Sequence, residues 1–385
     1  MQFRLSLLLV FAIGSLLFAC SGSGEADRKH HVHSEGMEYE QPEHAQRFRW
    51  RSWRESRGCL EILNADSTIM ATVYRDSSDY LADALKPEAA VVLDGTGTGL
   101  ATMSSTHVAL MEPWDSELGN WSGGGYLKYI RSEAAQRHFR AGNVLDFGGN
   151  PEWNHEAILA ANFKAFCTYP FGNPLQGVEW AKGFAVVPVV EYEEPTPLGR
   201  AEWMRALAWL VGDAQADSAD LVFAAIADRY QDIQRTAPLV EDPLVVLTGS
   251  VEQGAWTAPN GNSFVAQLIE DAGGQYIFSD AQMSGNVELS LESLYVLREE
   301  VDVLGLVLYE HDTAGFSVSS WMTSSPHHEQ IVPRSRRVFA ANTMTCDYFG
   351  WWVAHPDALL ANVRQVLYPD STKQDIPMCF EPLRP

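Results

Sequence analysis

The sequence predicts an α/β protein: two α/β lobes with mainly parallel sheets, joined by one long helix. Three observations carry this. Short apolar runs of strand length alternate with segments of helical periodicity, the pattern of parallel βαβ units. The folded body is about 335 residues, more than one ordinary core holds. A single amphipathic run, Asp217 to Arg235, stands between the two alternating regions; at ~1.5 Å per residue it is roughly 28 Å long, enough to bridge two lobes.

The chain begins with Met1 and an apolar run from Leu5 to Phe18, with Arg4 the only charge among the first nineteen residues. Leu17-Phe18-Ala19-Cys20 is the pattern a lipoprotein signal peptidase reads, and the run is short for a bilayer span of roughly 20 residues. Residues 1–19 are therefore expected to be a signal peptide and Cys20 the lipidated first residue of the mature chain. Residues 20–50 are expected to form a lipidated flexible linker, because Ser21–Gln46 is rich in Ser, Gly, Glu and His and poor in large apolar residues. His30, His31 and His33 within it fit either a solvated linker or a weak metal scavenger.

An N-terminal α/β lobe is expected over residues 51–212. Cys59–Asn64 and Thr68–Tyr74 read as a hairpin, Ala89–Leu93 and Leu100–Ser104 as strands, Thr106–Met111 and Asn154–Ala161 as helices, and Phe184–Val190 as a buried strand. Gly95–Gly99 lacks the Lys-Ser/Thr of a phosphate loop and reads as a turn. Arg200–Val211 places Trp203, Leu207 and Leu210 on one helical face. The interlobe helix is expected over residues 213–237, with Val222, Ile226, Tyr230 and Ile233 inward and Pro238 ending it. A C-terminal α/β lobe follows over residues 238–385. Its strands are Leu244–Leu247, Val301–Leu308 and Arg337–Ala341. Its helices are one carrying Phe264, Leu268 and Ile269, capped by Asn262 or Ser263 and ended by Gly273-Gly274, and a terminal Pro356–Leu367.

A net charge of −23 argues against nucleic acid as a partner. Cys59, Cys167, Cys346 and Cys379 allow three disulfide pairings, and no Cys/His zinc spacing is present. No Gly-x-Ser-x-Gly elbow, His-Glu-x-x-His motif or paired catalytic carboxylates occur, which speaks against a hydrolase.

Several stretches carry a family resemblance. They are Ser104-Ser105-Thr106-His107; Asn154-His155-Glu156-Ala157-Ile158; Glu193 through Trp203; Gly254-Ala255-Trp256 through Phe264; Asp271-Ala272-Gly273-Gly274; and Asp347-Tyr348. In order and spacing the chain resembles the substrate-binding lipoproteins of ABC importers for ferric siderophores, haem and cobalamin, in a Bacteroidetes-like branch. Pro197-Leu198-Gly199-Arg200-Ala201-Glu202-Trp203 is the most specific part. The resemblance departs at Asn162–Cys167, at Ala109 and at Phe349-Gly350-Trp351, and these departures bear on the ligand more than on the fold.

The resemblance implies two three-layer α/β lobes joined by a rigid helix, with a ligand cleft between them. It implies a small organometallic ligand, an ABC permease and its ATPase as partners, membrane contact through the lipid only, and a monomer. No cofactor is implied beyond the iron or cobalt of the ligand itself. The place is the periplasmic side of the envelope, with outer-surface display as a variant. Glu156 and Glu292 are implied to dock on Arg pockets of the permease, a two-point charge lock.

Loops at the carboxyl ends of strands face the crevice of open α/β sheets. That selects Ser104, Ser105, Thr106 and His107 as ligand-binding candidates, then Trp121 and Tyr126 in a Gly-rich aromatic loop. In the second lobe it selects Trp256, Tyr309, His311, Trp321, Asp347 and Tyr348. Each aromatic fits core packing as well as ligand contact, and His107 fits an iron ligand or a buried histidine. A metal-ion receptor of similar architecture and a non-transport surface scavenger stand as alternatives.

Overall fold

A computed structural model describes residues 38–53, 56–94, 97–149, 152–170, 184–236, 240–252, 254–281, 285–308, 317–325, 327–335, 337–369 and 378–384. The Cys20 expectation therefore lies outside the described residues.

Two mainly parallel sheets organise the two lobes. In the first, the strand order is Val186–Pro188, Ala165–Thr168, Leu100–Thr102, Trp121–Gly124, Leu145–Asp146, all parallel. In the second it is Gln275–Tyr276, Val245–Thr248, Val303–Leu308, Arg337–Asn342, Phe380–Pro382, parallel except for the last pair. In the first sheet the chain enters at the central strand Leu100–Thr102 and builds outward on both sides. The order thus reverses next to the residues that follow Thr102. A small antiparallel sheet of Ser250–Glu252, Ala255–Ala258 and Val287–Leu289 completes the second lobe.

The helix Asp213–Thr236 has 24 residues, about 36 Å at ~1.5 Å per residue. Its buried stripe is Ala216, Ala219, Phe223, Ile226, Ala227 and Tyr230. Phe223 takes the inward place expected for Val222, which is half-buried beside it. The helix packs on Pro197–Val211 and on the terminal helix Pro356–Leu367. No described helix is long and apolar enough to cross a membrane.

Three features differ from the sequence expectation. First, residues 38–50, expected within the linker, belong to the fold. Glu38–Glu40 and Phe48–Trp53 are strands of a five-stranded sheet with Ser56–Leu63, Ile69–Tyr74 and Ala90–Val92. Phe48 and Trp50 are fully buried, and Phe48 meets Trp203 edge to face at 5.0 Å. Second, the helix Pro197–Val211 is buried nearly all round rather than on one face, as expected of a helix enclosed by other layers. Third, Trp121–Gly124 is an inner strand, not a closing loop. A Cβ on Gly124 would stand 2.8 Å from Thr102 Oγ1, so the glycines let strand and neighbours approach closely.

The run Glu193–Trp203 has a structural job that explains why residues 43–47 are held to the fold. Glu202, fully buried, accepts hydrogen bonds from the backbone N–H groups of Glu43 (3.0 Å), His44 (2.8 Å) and Ala45 (2.8 Å), and pairs with Arg205 at 2.6 Å. Glu194 accepts from the backbone of Gln46 (2.8 Å) and Arg47 (3.0 Å) and from Trp203 Nε1 (2.8 Å). Burial pushes the Glu194 carboxyl up to about 7, against the pull of those donors. Two carboxylates thus hold one short strap of main chain, Glu202 accepting four hydrogen bonds and Glu194 three.

Candidate functional site

A cleft of about 490 Å³ lies between the lobes, within the size range of small-molecule sites of ~300–1,000 Å³. Its N-terminal wall comes from segments just after parallel strands. Met103, Ser104 and Ser105 follow Leu100–Thr102; Tyr126, Tyr129 and Arg131 follow Trp121–Gly124; Tyr169 follows Ala165–Thr168. Its C-terminal wall is the 343–349 loop after the Arg337–Asn342 strand, with Thr343, Asp347, Tyr348 and Phe349.

The first wall is fixed from beneath. Ser104 caps the helix Ser105–Met111, its hydroxyl accepting from Thr106 N at 3.3 Å. Thr106 Oγ1 donates to buried Glu191 Oε1 at 2.6 Å, with Arg200 at 3.8 Å from the same oxygen. His107 Nε2 lies 3.9 Å from the other oxygen. Burial pulls the His107 pKa down, against the Glu191 charge and the Cys167 carbonyl. Tyr126 sits in the left-handed region at φ 57°, a sparsely populated place for an aromatic residue, and stacks edge to face on Trp153 at 5.8 Å. Tyr169 is hydrogen-bonded to Tyr126. Burial first, then that bond, pushes its phenol up to about 12.

The second wall is fixed covalently. A Cys346–Cys379 disulfide ties the 343–349 loop to the segment entering the Phe380–Pro382 strand, with Cα atoms 5.2 Å apart. That resolves the pairing left open by the sequence; Cys59 and Cys167 are buried thiols. Asp347 accepts from Trp351 N at 2.9 Å. Burial raises its pKa, while that N–H and the Arg131 charge oppose the rise. The walls also touch: Ser105 Oγ donates to the Phe349 carbonyl at 3.3 Å, and Arg131 reaches Met344 Sδ at 3.6 Å.

Of the residues singled out from sequence, Ser104, Ser105, Tyr126, Asp347 and Tyr348 line the cleft together. Others do not. His107 is 0% exposed, so no cleft ligand reaches its ring, and Thr106 turns inward to Glu191. Trp121 is core, donating to Thr102 Oγ1 at 3.1 Å. Trp256 and Trp321 belong to the core of the second lobe, Trp321 stacked on His328 at 4.1 Å. Tyr309 and His311 lie outside the described residues. Glu156 and Glu292 stand exposed in the first turns of the helices His155–Ala160 and Leu291–Leu297, one per lobe.

Sequence reasoning missed Tyr129, Arg131, Tyr169 and Phe349. Tyr169 directly follows a fully buried Ala165–Thr168, which is the signal that locates it. The wall is thus aromatic faces and phenol hydroxyls with one carboxyl and one guanidinium, suited to a flat or amphipathic ligand. Among the described residues no group of three His, Cys, Asp or Glu is placed to hold a metal ion.

No protein-family model matches the chain. An uncharacterized lipoprotein of Methanocaldococcus jannaschii is 24% identical over 300 residues, covering 72% of this chain and 66% of that protein; the chain thus spans slightly under two thirds of this relative's length. Among solved structures, a periplasmic binding protein from Veillonella parvula aligns with a TM-score of 0.56 at 10% identity, covering 72% of this chain and 93% of that one. A periplasmic heme-binding protein from Roseiflexus sp. RS-1 aligns at 0.53 and 15%, covering 72% and 100%. A periplasmic heme-binding protein of Vibrio cholerae aligns at 0.53 and 14%, covering 71% and 99%. At these identities the likeness establishes the two-lobed α/β fold.

Proposed function

We propose that the protein is the substrate-binding receptor of an ABC importer, which takes an iron-siderophore, haem or cobalamin-type chelate into the cleft and hands it to a permease. The observation that carries this is the cleft itself. It sits outside the carboxyl ends of two parallel sheets, takes side chains from both lobes, and is lined by Tyr126, Tyr129, Tyr169, Tyr348 and Phe349. The described function of two fold neighbours, heme binding, supports the same ligand class.

A ligand bridging Tyr169 and Tyr348 holds the lobes in one arrangement and so presents both docking helices at a fixed spacing. In this reading Glu156 and Glu292 meet cations of the permease. Glu292 suits the part, since bonds from its own N–H and Ser290 keep its carboxyl below the usual range. A lipid on Cys20 keeps the receptor at the periplasmic face of the membrane.

Titration with haemin, a ferric hydroxamate and cyanocobalamin, followed by tryptophan fluorescence, tests the reading. One of the three is expected to quench at one equivalent. No saturable quenching by any of them contradicts it. The Glu156→Ala/Glu292→Ala double variant is expected to keep ligand affinity and lose uptake; unchanged uptake removes the docking role.

A further inference from the structure

A second cavity of about 200 Å³ lies inside the C-terminal lobe and meets the cleft at Tyr348, which lines both. Its polar lining is Thr248, Ser250, Thr257 and Asn286, of which Thr248 ends the Val245–Thr248 strand at the carboxyl edge of the sheet. Its inner wall is Leu268, Ile269, Val307, Phe339, Val363 and Phe380. No charged side chain lines it among the described residues. The Tyr348 ring packs edge to face on Phe349 at 4.9 Å and on Phe380 at 5.8 Å, so one aromatic cluster runs from the wall of the cleft to the wall of the chamber.

The apolar part of this lining gains when an apolar group covers it. Cavities of ~150 Å³ lined by Leu, Ile and Phe stay dry and accept benzene. The cleft beside it offers hydroxyls, a carboxyl and a guanidinium. The two spaces together suit a ligand with a polar head and an apolar arm.

We propose that the chamber behind Tyr348 receives an apolar arm of the ligand, of phenyl or short-alkyl size, while the chelate head occupies the cleft. The arm's burial selects among chelates with similar heads. This rests on the chelate reading of the cleft, so the test has one arm that needs no chelate.

In the first arm the full chain is titrated with benzene, and the methyl resonances of Leu268, Ile269, Val307 and Val363 are followed by NMR. Saturable shifts confined to these methyls are expected, lost in Val307→Phe, which fills the chamber, and weakened in the milder Val363→Leu. In the second arm a ferric hydroxamate is compared with derivatives bearing N-acyl chains of increasing length. Affinity is expected to rise roughly fourfold per buried methylene until the chamber is full, and to lose that gain in Val307→Phe. Benzene shifts without binding of any chelate retain the chamber and overturn the cleft reading. Equal affinity for all chain lengths, or a chain-length gain that survives Val307→Phe and Val363→Leu, overturns the chamber proposal, as does the absence of benzene shifts at these methyls.

Discussion

The two lobes hold their sides of the cleft by different chemistry. The N-terminal wall rests on buried Glu191 under the Ser104–His107 turn, and the same lobe holds its strap from Glu43 to Arg47 on Glu194 and Glu202. The C-terminal wall is secured by a covalent bond, Cys346–Cys379. Burial raises the Glu194 carboxyl to about 7, which puts it within reach of pH, whereas a disulfide yields to reductant. The lobes can therefore be loosened separately, the first by substitution or pH and the second by reduction.

The largest effect is expected for Glu202→Ala. It leaves three backbone N–H groups and Arg205 without their buried acceptor, a change of about 3–5 kcal/mol in denaturant unfolding. A loss under 1 kcal/mol would mean that the strap does not depend on this acid. Next comes Cys379→Ser. Opening a link across 33 residues is expected to cost about 3–4 kcal/mol and to weaken ligand binding through the 343–349 loop, while leaving the N-terminal wall in place. Reduction of the wild type should reproduce it; equal loss in both lobes by hydrogen exchange would erase the distinction drawn here.

The third effect is in pH. The folded Glu194 carboxyl is raised from 4.5 to about 7, so the folded state holds its proton where the unfolded chain has released it. Its contribution to stability is fully present below pH 4.5 and lost as pH rises through about 7. The slope it adds approaches about 1.4 kcal/mol per pH unit within that window. Glu194→Gln should remove this slope from chemical denaturation measured across the range; an unchanged slope would assign it to other groups. The smallest effect is expected for Glu191→Ala, about 1–3 kcal/mol, because the Thr106 hydroxyl keeps only Ser104 Oγ as a partner and Arg200 loses its nearby carboxylate. It should weaken ligand binding more than Cys167→Ala, a buried change on the same sheet that leaves the Ser104 turn supported.

The alternation of strands and helices and the long central helix were legible, because apolar periodicity reports on burial directly. The first strands were not. Phe48-Arg49-Trp50-Arg51 alternates with period two, yet Arg51 is buried as well, forked onto Asp83 at 2.9 and 2.7 Å and bonded to Glu61 at 2.9 Å. Such a paired charge inside a sheet looks like a polar linker in sequence. The helix Pro197–Val211 hides its burial because Arg200, Glu202 and Arg205 interrupt it, and the pairing of Glu202 with Arg205 and the approach of Arg200 to Glu191 are not visible in sequence. In the site, residue type did not separate Trp121, Trp256 and Trp321, which are core, from Tyr126 and Tyr348, which are wall. That distinction depends on where each strand ends. Ser104 was found because its strand was found; Tyr169 was missed because Ala165–Thr168 was not read as one.

The central claim is that the two walls close on a metal chelate. Its most direct test is the visible spectrum and native mass of the protein purified from its own cells, beside a Tyr169→Ala/Tyr348→Ala variant that removes one face from each wall. The account predicts one iron or cobalt chelate per chain in the wild type and none in the variant. Wild-type protein that carries no chelate and takes none up from its own culture medium would contradict it, as would a chelate retained equally by the variant.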